Sequence, residues 1–365
     1  MKDFSSYKYC PTLAVRPSEI KGLEFLPDET KDRMLPCFLL APWANSKTLE
    51  LTLVRIEKAF RNRHYLLDID RDYKIPNSEE KKISQPQEQL ISLKDPKNNY
   101  QNWIEFIKQS KWIVPCVQTK DQNISGIQFQ LEEFRKLDRR FCLRIERNGR
   151  TSKLSETVEA FSKSGSADFI ILLEGGWASD PLTLTAWFDE ILKGKLQKID
   201  AEVPAIISST SIPKNFVHIE GVSKLPIKSR DLFEELTRLR NRPTLIYGDW
   251  GSTRPRDPSK GGGNQPIPRI DYPQNKFWCI ARSKERNWAY KDLAIEIINQ
   301  TDVWNGNLAV WGEEMIQSTK NSDKLGIDTP QKNVAARVNL HLHLQAWFNH
   351  EDEIVEKEFE DEWVD

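Results

Sequence analysis

The sequence predicts an α/β fold: a (β/α)8 TIM-like barrel with a C-terminal β-hairpin and helical extension over the barrel mouth. Eight apolar runs of strand length recur at Tyr9–Val15, Leu35–Ala41, Tyr65–Asp70, Trp112–Val117, Phe141–Glu146, Phe169–Glu174, Ala205–Ser209 and Thr244–Gly248. Each is near-continuously apolar and bounded by turn residues, as strands buried on both faces are. Helical patterns lie between most of them, and eight alternations in roughly 250 residues is the count of a (β/α)8 barrel. A doubly wound open sheet is the competing arrangement. It lacks its Gly-rich dinucleotide fingerprint, because Val15-Arg16-Pro17-Ser18 follows the first run.

Taken in order, Ser46–Asn62 places Leu49, Leu53, Ile56 and Phe60 at helix spacing behind a Ser cap. Asn102–Ser110, Ile127–Leu137, Leu154–Phe161, Pro181–Leu196 and Ser229–Leu239 read as further helices, with Pro181 in a first turn after Asp180. Arg71–Asn99 is long, polar and charged and reads as a surface loop. The expected organisation is a barrel over 1–250, an extension packed on it over 251–350, and an acidic, disordered tail over 351–365. The extension opens with a Gly/Pro/Arg-rich loop and two β runs, Ile267–Tyr272 and Phe277–Arg282. Helical patterns follow at Trp288–Gln300, Val310–Thr319 and Gln331–Phe348. On the last, His341 and His343 point to different faces and are expected to pack. The tail holds nine acids among fifteen residues, a solvated composition.

The chain has 365 residues, 29% charged and 38% apolar, with a net charge of −1. That is an ordinary soluble profile with no global basic field for nucleic acid. No apolar run approaches a membrane span, no signal-peptide pattern opens the chain, and a cytoplasmic location is expected. The five cysteines, Cys10, Cys37, Cys116, Cys142 and Cys279, are odd in number and widely spaced. They read as buried thiols, and five histidines with no CxxC argue against structural zinc.

In a parallel barrel, sites lie at the C-terminal strand ends. Those ends carry Asp68 and Asp70 (two apart, hence on one side of the strand), Arg144 with Glu146, Glu174, the Ser208–Ser211 run, and Asp249-Trp250. Asp68, Asp70, Glu174 and Asp249 are the candidate acids. Such acids suit general acid–base work or a divalent metal beside a phosphoryl group, although no metal-binding signature is present and no metal ligand is assigned. Arg144, Trp250, Arg269, Tyr272 and Arg282 are the candidate ligand-binding residues, the arginines for an anion and the rings for stacking. The loop also brings Arg254, Arg256 and Lys260, while Gly261–Asn264 reads as a flexible tip. The competing structural reading is a salt-bridge layer closing the barrel top, for instance Arg144 with Asp70 or Glu174. No HExxH, P-loop, nucleophile elbow or kinase set appears.

Several short motifs occur in a fixed order: Tyr9-x-Pro11-x-Leu13, Asp68-Ile69-Asp70, Leu143-Arg144-Ile145, Tyr247-Gly248-Asp249-Trp250-Gly251, Pro268-Arg269-Ile270-x-Tyr272 and Trp278-x-x-x-Arg282. With the later Trp311-Gly312 and His341-x-His343, this order resembles the phage-type Beta protein family along nearly the whole chain. The family more often has Tyr where Trp250 stands, Gly where Ser283 stands, and adjacent histidines where His341 and His343 are split. The resemblance implies a TIM-type barrel and an antiphage role in phages, satellites or prophages. It does not imply a reaction.

Three molecular readings follow. The first is a barrel-mouth pocket that binds or hydrolyses a phosphate-bearing ligand. The second is a catalytically silent barrel bound to a protein partner, either a toxin or a phage component. The third and weakest is nucleic-acid binding through the basic loop. Asp249, Arg269 and Arg282 are expected to lie near Asp70 and Glu174.

Overall fold

The computed structural model describes residues 1–75, 82–147, 153–239, 242, 244–257, 267–284, 289–322 and 324–350. Strands β1 (Tyr9–Leu13), β2 (Cys37–Leu40), β3 (Tyr65–Ile69), β4 (Ile113–Pro115), β5 (Phe141–Glu146), β6 (Phe169–Trp177) and β7 (Ala205–Thr210) precede β8 (Gly221–Pro226) and β9 (Leu245–Asp249). A hairpin follows, β10 (Arg269–Pro273) and β11 (Phe277–Arg282). One parallel sheet runs β4-β3-β2-β1-β9-β7-β6-β5. Its two ends meet through a parallel bridge between Cys116 and Cys142, with Val117 N donating to the Cys142 carbonyl at 3.0 Å. The fold is therefore an eight-stranded (β/α)8 barrel. Pro115 has no N–H to donate, and the bonding resumes at Cys116, whose N–H donates to the Leu67 carbonyl at 2.8 Å.

The two-residue strand period sorts side chains into two cores. Cys10, Cys37, Leu66, Val114, Cys142, Ile170, Leu172, Ile206 and Ile246 cluster inside the barrel. Tyr9, Phe38, Leu67, Leu143, Ile171, Ile207 and Tyr247 point outward and pack under the helix ring. Four of the five cysteines belong to the interior cluster, and all five are buried and unbridged. Phe4 and Tyr7, ahead of β1, join the interior from below.

The ring includes two helices that hydrophobic patterning hid. Pro17–Glu24 follows β1, with Pro at its first turn and Glu19 bonding back to the Arg16 N–H. Gln85–Leu93 lies in the stretch expected to be a loop. A capping box of Ser84 and Gln87 starts it, and Leu90 and Leu93 bury its inner face. The Pro181–Leu196 pattern breaks into a 3-10 turn, the α-helix Thr185–Glu190 and the π-turn Ile191–Lys195.

After β9 the chain builds a second, three-stranded antiparallel sheet, β10-β11-β8. Its edge strand β8 comes from between β7 and β9 in sequence, ahead of residue 250. The last helix, Pro330–Ala346, then returns to the barrel. Val338, Leu342 and Ala346 pack in the outer core with Leu13, Leu23 and Tyr247, so this helix closes the ring behind the eighth barrel strand. Lys260, the Gly261–Asn264 tip, Trp288 and the acidic tail lie outside the described residues.

On that helix the two histidines diverge, as their spacing implies. His343 Nδ1 meets Thr30 Oγ1 at 2.9 Å, and Trp347 Nε1 donates to the same oxygen at 3.0 Å. Burial lowers the His343 pKa to about 4. A depressed histidine pKa means that stability is complete above the unfolded value near 6.5 and drains as pH falls toward 4, because only the unfolded chain takes up the proton. His343→Gln should therefore remove roughly 2–3 kcal/mol of the stability loss between pH 7 and 4.5. Urea unfolding at the two pH values measures this, and an unchanged loss would rule it out.

Candidate functional site

Strand parity places the inward-facing residues at the C-terminal end of the barrel. Asp68, two past inward Leu66, accepts from Arg144 at 2.8 Å, from Gln118 at 2.7 Å and from the Ile69 N–H at 2.8 Å. Arg144, two past inward Cys142, also reaches Glu146 at 3.4 Å. Burial pushes the Asp68 carboxyl up, but the Arg144 and Arg71 guanidiniums more than offset this and hold it below the ordinary value. For Arg144, burial works against the charge and Glu146 and Asp68 outweigh it, so its pKa lies well above the usual value.

Glu174, two past inward Leu172, is also buried. Its Oε1 accepts from Trp250 Nε1 and the Gly176 N–H, each at 2.8 Å, and its Oε2 accepts from Ser208 at 3.1 Å and Thr12 at 3.4 Å. Here burial outweighs the pull of Arg144 and raises the carboxyl pKa. Asp70 pairs with Arg256 at 2.5 Å and is likewise raised, mainly by burial. The space left among Asp70, Arg144, Glu146, Glu174 and Trp250 is a cavity of about 60 Å3. That is room for one or two waters, not for a phosphorylated substrate.

Asp249 belongs to neither this layer nor its cavity. Tyr247 faces the outer core, so Asp249, two residues on, faces outward too. There Oδ1 accepts from Tyr9 at 2.5 Å and from the Gly251 N–H at 2.8 Å, and Oδ2 accepts from Tyr247 at 2.9 Å and from His341 Nε2 at 2.6 Å. Gly251 has φ +53°, the left-handed turn that folds its N–H back onto the carboxylate, and a Cβ there would sit 2.7 Å from Leu13 Cδ2. Burial raises the Asp249 carboxyl, but His341 and these donors outweigh it, and the net pKa is lowered. Asp249 thus ties the last helix to the eighth barrel strand. Arg230 stacks on Tyr247 at 3.4 Å beside it.

The remaining candidates come together elsewhere. Arg269 and Arg282 line an open cleft of about 640 Å3 between the loops after β1, β7 and β9 and the second sheet. Arg16, Lys214, Arg254 and Arg337 line it with them. Arg269 bonds Asp271 at 2.7 Å and lies 3.8 Å over the Phe216 ring, while Arg282 donates to the Ile219 carbonyl at 2.8 Å. Arg337 pairs with Asp271 at 2.5 Å, and its buried Nε has no partner. Burial lowers the Arg337 pKa to about 10, with Asp271 opposing. Burial, together with the neighbouring Arg16 and Arg269, lowers Arg254 as well. The expected meeting of Arg269 and Arg282 with Asp70 and Glu174 does not occur through any contact. The cleft and the small mouth cavity are neighbours, with Pro255 lining both. Tyr272 lines neither; it is buried in the second sheet and donates to Glu313 at 2.7 Å.

Arg16, Lys214 and Arg337 come from three segments with no shared motif, and sequence reasoning missed them. Only the arginine density of the loop after the eighth strand pointed here, through Arg254 and Arg269. Among the described residues, no three His, Cys, Asp or Glu side chains are placed to hold a metal ion, and no helix is long and apolar enough to cross a membrane.

The Beta protein family model matches residues 9–346, which spans the barrel, the second sheet and the closing helix. The chain belongs to the Beta protein family. Among curated relatives it is similar to Protein beta of Enterobacteria phage P4, at 28% identity over 368 residues, covering 96% of this chain and 98% of that protein. The Beta protein match includes Asp249 and His341, so the tether between the eighth strand and the last helix falls within the family's extent.

Proposed function

We propose that this Beta-family chain binds a phosphate-bearing anion in the arginine cleft at the C-terminal face of its barrel, and that it does so in conflict between a mobile genetic element and competing phages. One contrast carries the binding reading. Asp68, Asp70 and Glu174 are each engaged by partners of their own at the barrel mouth, while the adjoining cleft stays open and cationic. Loops after the seventh and eighth barrel strands frequently hold phosphate in this architecture, and here β7 and β9 are those strands. The closed ion-pair layer favours binding over turnover. Hydrolysis would have to draw on Glu174, whose carboxyl pKa is raised by burial and which lies at the edge of the small cavity. The similarity to a phage P4 protein supports the mobile-element setting of this proposal.

Calorimetry with pyrophosphate on the full chain tests the binding reading. Binding that weakens with salt is expected, and Arg254→Ala should cut affinity at least about tenfold without shifting the unfolding curve. Absence of binding by the wild type contradicts the reading. Phage plating on cells producing the chain tests the biological role: protection should be lost with Arg254→Glu, and equal protection by that variant would refute the link.

A further inference from the structure

The lining of the cleft says more about its ligand than its sign. Among the described residues, six cations line the cleft against three carboxylates, Glu19 and Asp257 in its wall and Asp271 behind Arg269 and Arg337. Glu19 is committed to Arg16 at 2.8 Å and to Thr253 at 2.9 Å, and Asp271 is shared by Arg269 and Arg337. Arg254 makes no side-chain hydrogen bond or ion pair with a described residue. A surplus of about three positive charges in a partly buried cleft is costly without an anion of similar charge. Two helix starts add to it. Arg16 and Ser18 belong to the start of Pro17–Glu24, and Pro330 and Gln331 to the start of Pro330–Ala346, and all four line the cleft. Backbone N–H groups and the helix dipole favour negative charge at both places.

Part of the wall is apolar. Ile212, Pro213, Phe216 and Val217 from the loop after β7, with Ile267 and Val334, line the cleft beside the arginines. Val217 is 64% exposed and offers an accessible apolar surface beside the guanidiniums. Inorganic phosphate would leave that wall wet, and the cleft volume of about 640 Å3 is in the range of small-molecule sites. The geometry points to a nucleoside di- or triphosphate: the polyphosphate on Arg254, Arg269, Arg282 and Arg337, and the nucleoside against Phe216 and Val217. This rests on the anion-binding reading above and deepens it. Another basic cavity, about 530 Å3 around His64, Arg139 and Arg140, lies by the N-terminal strand ends. It is cationic too, with Lys111, Arg135, Arg139 and Arg140 against Asp138 and Asp168, but it lies at the end of the barrel away from the loops after β7 and β9.

The test is calorimetry on the full chain with ATP, GTP, UTP and CTP, with tripolyphosphate, and with the four nucleosides. At least one nucleoside triphosphate should bind ten or more times tighter than tripolyphosphate, and the nucleosides should bind far more weakly. Arg254→Ala should weaken the triphosphate and tripolyphosphate alike. Val217→Asp should weaken the nucleoside triphosphate at least tenfold more than tripolyphosphate; as an exposed loop position it leaves the fold intact, which an unchanged unfolding curve verifies. If tripolyphosphate binds as tightly as every nucleotide, the nucleoside assignment is overturned while anion binding stands. If neither tripolyphosphate nor any nucleotide binds, the anion-binding reading itself falls.

Discussion

Asp249→Ala lowers the unfolding free energy by about 3–5 kcal/mol, because it takes the acceptor from several buried donors, each costing roughly 1–3 kcal/mol when unsatisfied. Four donors converge on this carboxylate; two of them, Tyr9 and His341, are buried side chains left unsatisfied without it, while Tyr247 keeps Ser229 at 3.1 Å. The substitution cuts the direct link between the eighth strand and the last helix, so hydrogen exchange should rise first over Pro330–Ala346. Tyr247→Phe removes one donor and should cost about 1–3 kcal/mol. The lowered pKa of Asp249 means its contribution is present above the unfolded carboxylate value and lost as acid carries the pH through the folded one. Urea unfolding at neutral pH measures the losses. A change below about 1 kcal/mol for Asp249→Ala would show that the tether is not structural.

Arg144→Ala should cost a similar 3–5 kcal/mol, because it strands Asp68 inside the barrel. The double variant Asp68→Leu/Arg144→Met separates a structural layer from a functional one. Well-packed apolar pairs often replace buried ion pairs at little cost, so the double variant should recover most of the lost stability, to within about 2 kcal/mol of wild type. It should also keep anion affinity, since neither residue lines the arginine cleft. A double variant as unstable as Arg144→Ala would refute the structural reading, and one that is stable but cannot bind pyrophosphate would move the site back to the mouth.

The barrel was legible because its strands are buried on both faces and read as unbroken apolar runs. For the same reason the sequence left side-chain direction open. Asp68 and Asp70 share a side, as their spacing requires, but nothing in Leu245–Asp249 tells which way Asp249 points. The strand's inner face is Ile246 and Gly248, where a Cβ would meet the Cys10 carbonyl at 2.8 Å, and the acid therefore falls outside. β8 went unseen because Gly-Val-Ser-Lys-Leu-Pro is no unbroken apolar run and has no buried residue, three of its six being exposed, as suits a sheet edge. The helix Pro17–Glu24 is short and holds only two large apolar residues, Ile20 and Leu23. The salt-bridge layer weighed from the sequence exists with other partners: Arg144 takes Asp68, and Asp70 takes Arg256. The cleft arginines converge from residues 16 to 337, a juxtaposition that only the closed ring produces.

The most direct measurement is a crystal structure of the full chain grown with pyrophosphate. The anion should lie between the loops after β7 and β9, within hydrogen-bond reach of Arg254 and at least one of Arg269, Arg282 and Arg337. Pyrophosphate seated instead against Arg144 and Glu174 inside the barrel, or by Arg139 and Arg140 at its other end, would contradict this placement.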